Sequence, residues 1–506
     1  MHIATRRLAA PLFTAVALLA SQSFAAGFYF GDNGARASTQ GWAFAGEADD
    51  LSAMEYNPAG LAQLKGLHFN VEGLLLHHAV SFDRRNPGAP DAVVTKGPAE
   101  NSVGVFPLPL AGVSYGFDIL DRNFSVALGV FGPPASGRYA FNKPNYDRDP
   151  NDPKRWVADP RLYAPQRYTL IENNILIVYP TLSLAYAVHP RLMFGVSLQL
   201  VLSTIQMQQA IYSDIFTPPS IAMENAANDS LADVNVGSGP SFTAIFGMLI
   251  KPWDFISIGA SLRPQIPINA KGKLKVTILP NSFAESLGTT TVGDDASLSL
   301  TLPFEWRVGL QVRPIDGLRL NADFVYQGWQ SVTDITLTPI NVGVSLMGGA
   351  PVPVDPFKIP KHWSYSISTR FGAAYDLIEM LTLHGGFMFE TGAAPDQYTA
   401  VDFAHFDRVF LTGGVTAHLW KFDITAGFAG TPAVTKQVTN SEVRAGTAAT
   451  PDPGQIVGNG VYTSGGYVIS LGIGGHFLDA PTTEAPKDVP TEALPPAPES
   501  TPPPAK

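Results

Sequence analysis

The 506-residue chain is 45% hydrophobic but only 15% charged, against ~25% charged residues in soluble domains. Its net charge of −10 argues against nucleic-acid binding, for which a basic surface is expected. The absence of Cys removes disulfides, thiol chemistry and Cys-ligated metals.

The chain opens with Arg6 and Arg7, an apolar run from Leu8 to Ala20, and the small-residue exit Ser21-Gln22-Ser23-Phe24-Ala25. This is the layout of a secretory signal, predicted to occupy residues 1–25, and its apolar run is too short for a membrane anchor. Beyond it no window approaches the ~18 uninterrupted apolar residues of a spanning helix. An exported apolar chain without such a helix hides its surface in a large soluble β protein or in a closed barrel in lipid.

Residues 26–66 are rich in Gly and Ala and lack sustained alternation, as expected of a plug preceding a barrel. Alternation then dominates. In 192–203, Leu192, Phe194, Val196, Leu198, Leu200 and Leu202 alternate with Met193, Gly195, Ser197, Gln199, Val201 and Ser203. The run 297–312 alternates Leu298 through Val312 with Ser297, Ser299, Thr301, Glu305, Arg307 and Gln311. Similar patterns recur at 255–263, 318–327, 378–390, 408–419 and 467–477. Side chains alternate across a strand, so each run has one apolar and one mostly polar face. The lengths suit tilted strands crossing a bilayer, where a lipid-facing Arg or Lys costs ~2–4 kcal/mol at mid-depth. The number of such runs favours a transmembrane barrel over a soluble sandwich.

Short turns at Asp121-Arg122-Asn123, His189-Pro190, 251–254 and 314–317 are separated by long stretches at 135–167, 213–239, 279–296, 339–361 and 440–463. Short periplasmic turns and long external loops are the asymmetry of an outer-membrane barrel. The segment 213–236 is predicted as an external loop with helical character. Its Phe216, Ile221 and Met223 suit either capture of hydrophobic molecules or ordinary loop packing. The last strand ends at Phe477, and the Pro-rich 479–506 reads as a disordered tail in the periplasm.

Enzyme signals are weak. Gly112-Val113-Ser114-Tyr115-Gly116 fits a nucleophile elbow, but it sits in a strand pattern rather than at a strand-to-helix turn. His77 and His78 face opposite ways on a strand and have no partner spacing for a metal. Nucleotide motifs are absent, so no energy-coupled pump, cofactor or metal is expected.

The segment AGFYFGDNGARASTQGWAFAGEADDLSAMEYNPAGLAQLKG resembles the N-terminal hatch of the FadL-type outer-membrane transporters, which comprise long-chain fatty-acid transporters and toluene and xylene porins. The matching positions are Ala26-Gly27-Phe28, Ala43 to Ala48, Asp49-Asp50 and Asn57 to Leu61. Downstream, 129–133, Pro180 with Ala185-Tyr186, Leu262-Arg263 with Gly272, Leu302-Pro303, Trp329 and 406–413 follow in family order. The resemblance implies an all-β barrel of about 14 strands over 67–478, plugged by a mostly helical hatch over 26–66. It implies passive uptake of hydrophobic molecules, with long-chain fatty acids or aromatic hydrocarbons as cargo and a lumenal apolar site near Phe28 and Phe30. It also implies gating through Asn57, Pro58 and Ala59, which otherwise suit a plain turn. Lateral exit would pass Gly132, Pro133 and Pro134 on the third strand, where a kink and a simple strand end explain the residues alike. A monomer folded by the barrel-assembly machinery and surrounded by outer-membrane lipids is expected. The tail after Phe477 and the aromatic Phe28-Tyr29-Phe30 depart from the family pattern. A general porin, a lipid-modifying enzyme and an adhesive barrel are the rival readings.

Overall fold

The computed structural model describes residues 29–85, 98–132, 137–141, 165–212, 229–278, 283–403, 406–445 and 456–477. The expected signal peptide, Phe28, Pro133, Pro134, Phe216, Ile221, Met223 and the Pro-rich tail lie outside them.

Fourteen long strands form a closed antiparallel ring: β1 Gly66–Arg84, β2 Phe106–Ile119, β3 Arg122–Phe131, β4 Glu172–His189, β5 Leu192–Tyr212, β6 Ser241–Trp253, β7 Ile256–Arg263, β8 Phe304–Ile315, β9 Leu318–Gly328, β10 Ser366–Ile378, β11 Leu381–Glu390, β12 Arg408–Leu419, β13 Phe422–Val438 and β14 Gly460–Phe477. Each pairs with its neighbour, and β1 closes on β14 with Leu67 opposite Phe477 and Arg84 opposite Gly460. Closure leaves no open edge and satisfies the backbone within lipid.

The alternation decides which face meets lipid. On β5, Phe194, Leu198 and Leu202 are exposed while Ser197, Gln199 and Val201 are buried. On β8, Val308 and Leu310 point out while Glu305, Arg307 and Gln311 point in. The same outward rows continue through Leu320, Phe371, Leu411, Phe428, Leu471 and Val71 around the ring. Such a contiguous exposed apolar surface is untenable in water and expected in a hydrocarbon belt. Trp253 with Phe255 and Trp420 with Phe422 border it at the short-turn end, and stacked Trp306, Tyr326 and Tyr365 border it at the other.

Three sequence expectations are corrected. The run 297–312 is two strands: Pro303 lacks a backbone N–H, and the buried parity switches from the even residues of Asp295–Leu302 to the odd residues of β8. Leu298 and Leu302 are buried instead of facing lipid, because Asp295–Leu302 belongs to a sheet standing above the barrel. That sheet extends the upper half of β5 through Asp229–Ser238, Ile266–Ile278, Asp295–Leu302, Asp334–Pro339 and Phe357–Pro360. The described part of 213–236 is therefore strand rather than helix, with Leu231 buried in it. Likewise, 279–296 and 339–361 contain short strands as well as loop.

Residues 29–65 fill the lumen. Their regular structure is a series of short helical turns, α1 Ala35–Thr39, α2 Ala53–Tyr56 and a 3-10 turn Pro58–Gln63. α1 packs against β12, β13 and β14, and the 3-10 turn packs against β3 to β6 on the opposite wall. The plug thus bridges the lumen.

Candidate functional site: a plugged lumen

The plug meets the wall through directed polar contacts as well as apolar clusters. Phe44 and Ala45 N–H groups donate to Asp323 at 2.8 and 2.7 Å, and the Ala35 N–H donates to Glu72 at 2.6 Å. Wall hydroxyls of Ser197 and Ser261 donate to the carbonyls of Met54 and Tyr56 at 2.7 and 2.6 Å. Asn123 donates to the carbonyls of Ala62 and Leu64. Each neutral bond nets ~0.5–1.5 kcal/mol and a bond to an ionised carboxylate ~1.5–3, so together they hold the plug against a barrel with its own closed ladder.

Asn57 sits fully buried at the centre. Its Nδ2 donates to Ala45 O within the plug and to Met248 O on β6, both at 3.0 Å. Its Oδ1 accepts from Ala59 N at 3.3 Å, capping the 3-10 turn that Pro58 starts. One side chain therefore couples plug folding to wall docking. The approach is close enough to require glycine. A Cβ on Gly259 would overlap the Ala45 carbonyl, and one on Gly247 would overlap Asn57 Oδ1.

Above these contacts lies a buried ion cluster that the sequence reading missed. Asp32 accepts from Arg307 at 2.7 and 3.1 Å and from Arg370. Burial opposes the Asp32 charge, but the two guanidinium groups outweigh it and hold its carboxyl well below the usual range. Arg307 also pairs with Glu305 at 2.7 Å, and Arg263 reaches Glu305 at 3.3 Å. Glu55, bonded to Asn33 at 2.9 Å, has its pKa raised to about 7 by burial and by the neighbouring Asp32 charge. Glu305 and Arg307 were visible as inward-facing charges on an alternating strand; their shared plug partner was not.

The first described residues enter two apolar clusters. The Tyr29 ring lies edge-on to Trp329 at 5.1 Å, and Trp329 to Trp363 to Phe403 continues the chain at 5.4 and 5.3 Å. Phe30 packs edge-on against Phe410 at 5.1 Å, with Arg408 over its ring at 4.7 Å. Of the two expected lumen aromatics, Phe30 is buried here, and Phe28 lies outside the described residues.

β3 stops at Phe131, opposite Tyr179 of β4, and Arg138–Ala140 resumes pairing with Asn174 of the same strand. Between these two pairings β4 runs on through residues 175–178, and the Ile175 N–H donates to the Gly137 carbonyl at 2.5 Å. Asn33 of the plug donates to the Gly132 carbonyl at 2.5 Å. The plug therefore touches the chain just past the described end of β3.

Outside, a cleft of about 390 Å³ is lined by Ile211, Phe357, Lys358, Lys361, Tyr398 and Arg444 among others. Lys361 is almost completely buried, bonded to Asp402 at 2.5 Å, and sits 5.1 Å from the Phe403 ring centre. At the short-turn end, the cavity beneath the plug is polar, with Arg36, Asp49, Asp50, Arg319, His384 and His418 in its lining.

Among the described residues, the two enzyme-like sequence signals sit in ordinary wall surroundings. Ser114 lies within β2 opposite His68 of β1, an ordinary wall position. His78 bonds Tyr139 and Ser464, while His77 on the other face lies tilted against the Tyr467 ring at 5.0 Å.

Residues 166–475, more than half of the sequence, match the family described as outer membrane protein transport protein (OMPP1/FadL/TodX). The chain belongs to that family. It is an outer-membrane β-barrel for transport of hydrophobic molecules and not an enzyme. A Pseudomonas aeruginosa FadL homologue superimposes with a TM-score of 0.68 at 18% identity, covering 89% of this chain and 100% of that one. The Pseudomonas putida toluene transporter TodX gives 0.61 at 13%, covering 89% and 100%. The Ralstonia pickettii toluene transporter TbuX gives 0.57 at 15%, covering 88% and 98%. No curated protein matches the sequence. At these identities the structural likeness shows the FadL-type fold, and cargo is argued from the residues of this chain.

Proposed function

We propose that this member carries long-chain fatty acids inward by passive diffusion. The single observation that supports this cargo is Lys361, a nearly buried cation between the external cleft and the Trp363–Trp329–Tyr29 aromatic chain. An ammonium has three donors. One meets Asp402, which leaves capacity for a carboxylate head while the tail enters the apolar lumen. A dozen methylenes leaving water contribute on the order of 10 kcal/mol. An aromatic hydrocarbon needs no cation.

In this reading the cargo is gathered at the external surface, where Phe216, Ile221 and Met223 form the capture segment. It then binds beside Phe28 and Phe30. The plug, pinned through Asn57, Pro58 and Ala59, shifts to weaken that site. The cargo leaves sideways into the membrane past Gly132, Pro133 and Pro134, avoiding the polar floor beneath the plug. The signal is removed near residue 25, the plug and barrel act as a monomer assembled by the barrel-assembly machinery, and the tail lies in the periplasm.

A second reading, aromatic-hydrocarbon uptake, is favoured by the edge-on chain of Tyr29, Trp329, Trp363 and Phe403, which would hold a flat ring. Replacing Lys361→Met together with Asp402→Asn removes the pair without stranding one charge. Fatty-acid binding measured by fluorescence displacement is expected to weaken about tenfold, the equivalent of ~1.4 kcal/mol, with toluene binding unchanged. Unchanged fatty-acid affinity alongside tight toluene binding would instead establish the aromatic reading.

A further inference from the structure

The outward face of the sheet above the barrel differs from the belt below it in one step. On β5 the outward residues run Leu198, Leu200, Leu202 and then Thr204 and Gln206. On β4, Leu182 and Leu176 are exposed, and the next outward residue is Asn174. The change marks where lipid tails give way to headgroups.

The register builds a continuous polar row across that boundary. Arg138 lies opposite Asn174, Asn174 opposite Gln206, Gln206 opposite Asn235, and Asn235 opposite Lys273. Arg138, Asn174, Gln206, Asn235 and Lys273 are all exposed, with a cation at each end and amides between. Arg138, Asn174, Gln206 and Asn235 line a cavity of about 410 Å³ on this face, together with the carboxylates Glu172 and Asp233, and Lys273 flanks it. Lys271 and Lys275 stand two residues either side of Lys273, a spacing of ~7 Å along the strand. The opposite face of the same sheet is a dry core of Val234, Val236, Ala270, Leu274 and Leu298, so these polar residues are fixed outward.

The charges are graded. Lys273 is engaged by Asp294 and Asp295 at 2.7 and 2.8 Å, and Asp233 takes a bond from Gln208. Lys271 and Lys275 make no ion pair among the described residues, and neither does Arg138. Cations without carboxylate partners, amide donors and a few acids form a surface suited to phosphate groups joined to sugars. Phosphates meet the cations, and hydroxyls meet the amides and Asp233. A hydrophilic protein partner would not explain why the row is continuous with the lipid belt.

We propose that this shelf binds the phosphorylated saccharide headgroup of an outer-leaflet glycolipid whose acyl chains lie on Leu176, Leu198 and Leu202. Such a lipid is held beside the end of β3, because Arg138 opens the short strand Arg138–Ala140 that pairs with β4 above it. The proposal rests on the outer-membrane location and is independent of which cargo the lumen carries.

The test is native mass spectrometry of the full chain in detergent, titrated with diphosphoryl lipid A carrying core sugars, with its dephosphorylated form and with inorganic phosphate. The diphosphoryl lipid is expected to stay bound, and Arg138→Gln/Lys271→Gln/Lys275→Gln to bind it about tenfold more weakly. The barrel's β spectrum and its cargo binding should be unchanged in that variant, which separates lost recognition from lost folding. A single Lys271→Glu variant should weaken binding in the same direction. Equal binding of the dephosphorylated lipid, full retention in the triple variant, or displacement by millimolar inorganic phosphate would each overturn the proposal.

Discussion

Replacing Asp32→Leu is expected to loosen the plug while leaving the barrel closed. Arg307 would keep Glu305, but Arg370 would be left with Ser368 and the Trp42 carbonyl alone. Stranding a buried charge costs about 3–5 kcal/mol, comparable with three or four of the neutral plug–wall bonds together at ~0.5–1.5 kcal/mol each. The ladder from β1 to β14 contains no Asp32 contact, so circular dichroism should still report the barrel. Planar-bilayer recordings should change from quiet to a steady ionic current. A variant that stays as quiet as the parent, with an unchanged melting temperature, would show that the ion cluster does not hold the plug.

The second large effect is steric. Gly259→Leu would drive a side chain from β7 into the Ala45 carbonyl and towards Asn57 Nδ2, which lies 2.7 Å from the Cβ position. Neither can yield cheaply. The carbonyl is docked backbone, and Asn57 is the residue joining plug to wall. The cost should lie at or above the top of the ~1–3 kcal/mol range for overpacking, and relief comes by expelling the plug. Limited proteolysis should then cut within residues 29–65. Gly385→Leu is the control, because a Cβ there meets nothing within 4 Å. Equal protease resistance of the Gly259 variant and this control would argue against tight docking.

Much of the architecture was legible because the barrel obeys one rule. A period of two, carried over enough residues to cross a bilayer, assigned Phe194, Leu198 and Leu202 outward and Ser197 and Gln199 inward from sequence alone. The rule failed where the environment changed without a change of period. Leu298 and Leu310 share a parity, yet one enters a sheet core and the other faces lipid. Only Pro303 marked the break.

The plug was legible as a segment and only partly as a mechanism. Asn57 stood out through its Asn-Pro-Ala setting, whereas Asp32, Arg370 and Lys361 did not. Their significance lies in contacts 338 residues apart for Asp32–Arg370 and 41 apart for Lys361–Asp402. Nothing periodic encodes such distances. Burial of Glu305 and Arg307 was predictable from strand parity, but burial in the lumen wants a partner, and that partner came from the N-terminus.

Passive entry of a hydrophobic acid through a plugged barrel makes a distinctive prediction for whole cells. The direct measurement is uptake of labelled oleate by cells lacking their own carriers for such compounds, with and without this chain. Saturable, chain-dependent uptake that follows the oleate gradient, with small sugars excluded, is the predicted result. Oleate uptake no greater than in cells without the chain, accompanied by free passage of small sugars, would contradict the account and make the protein a general porin.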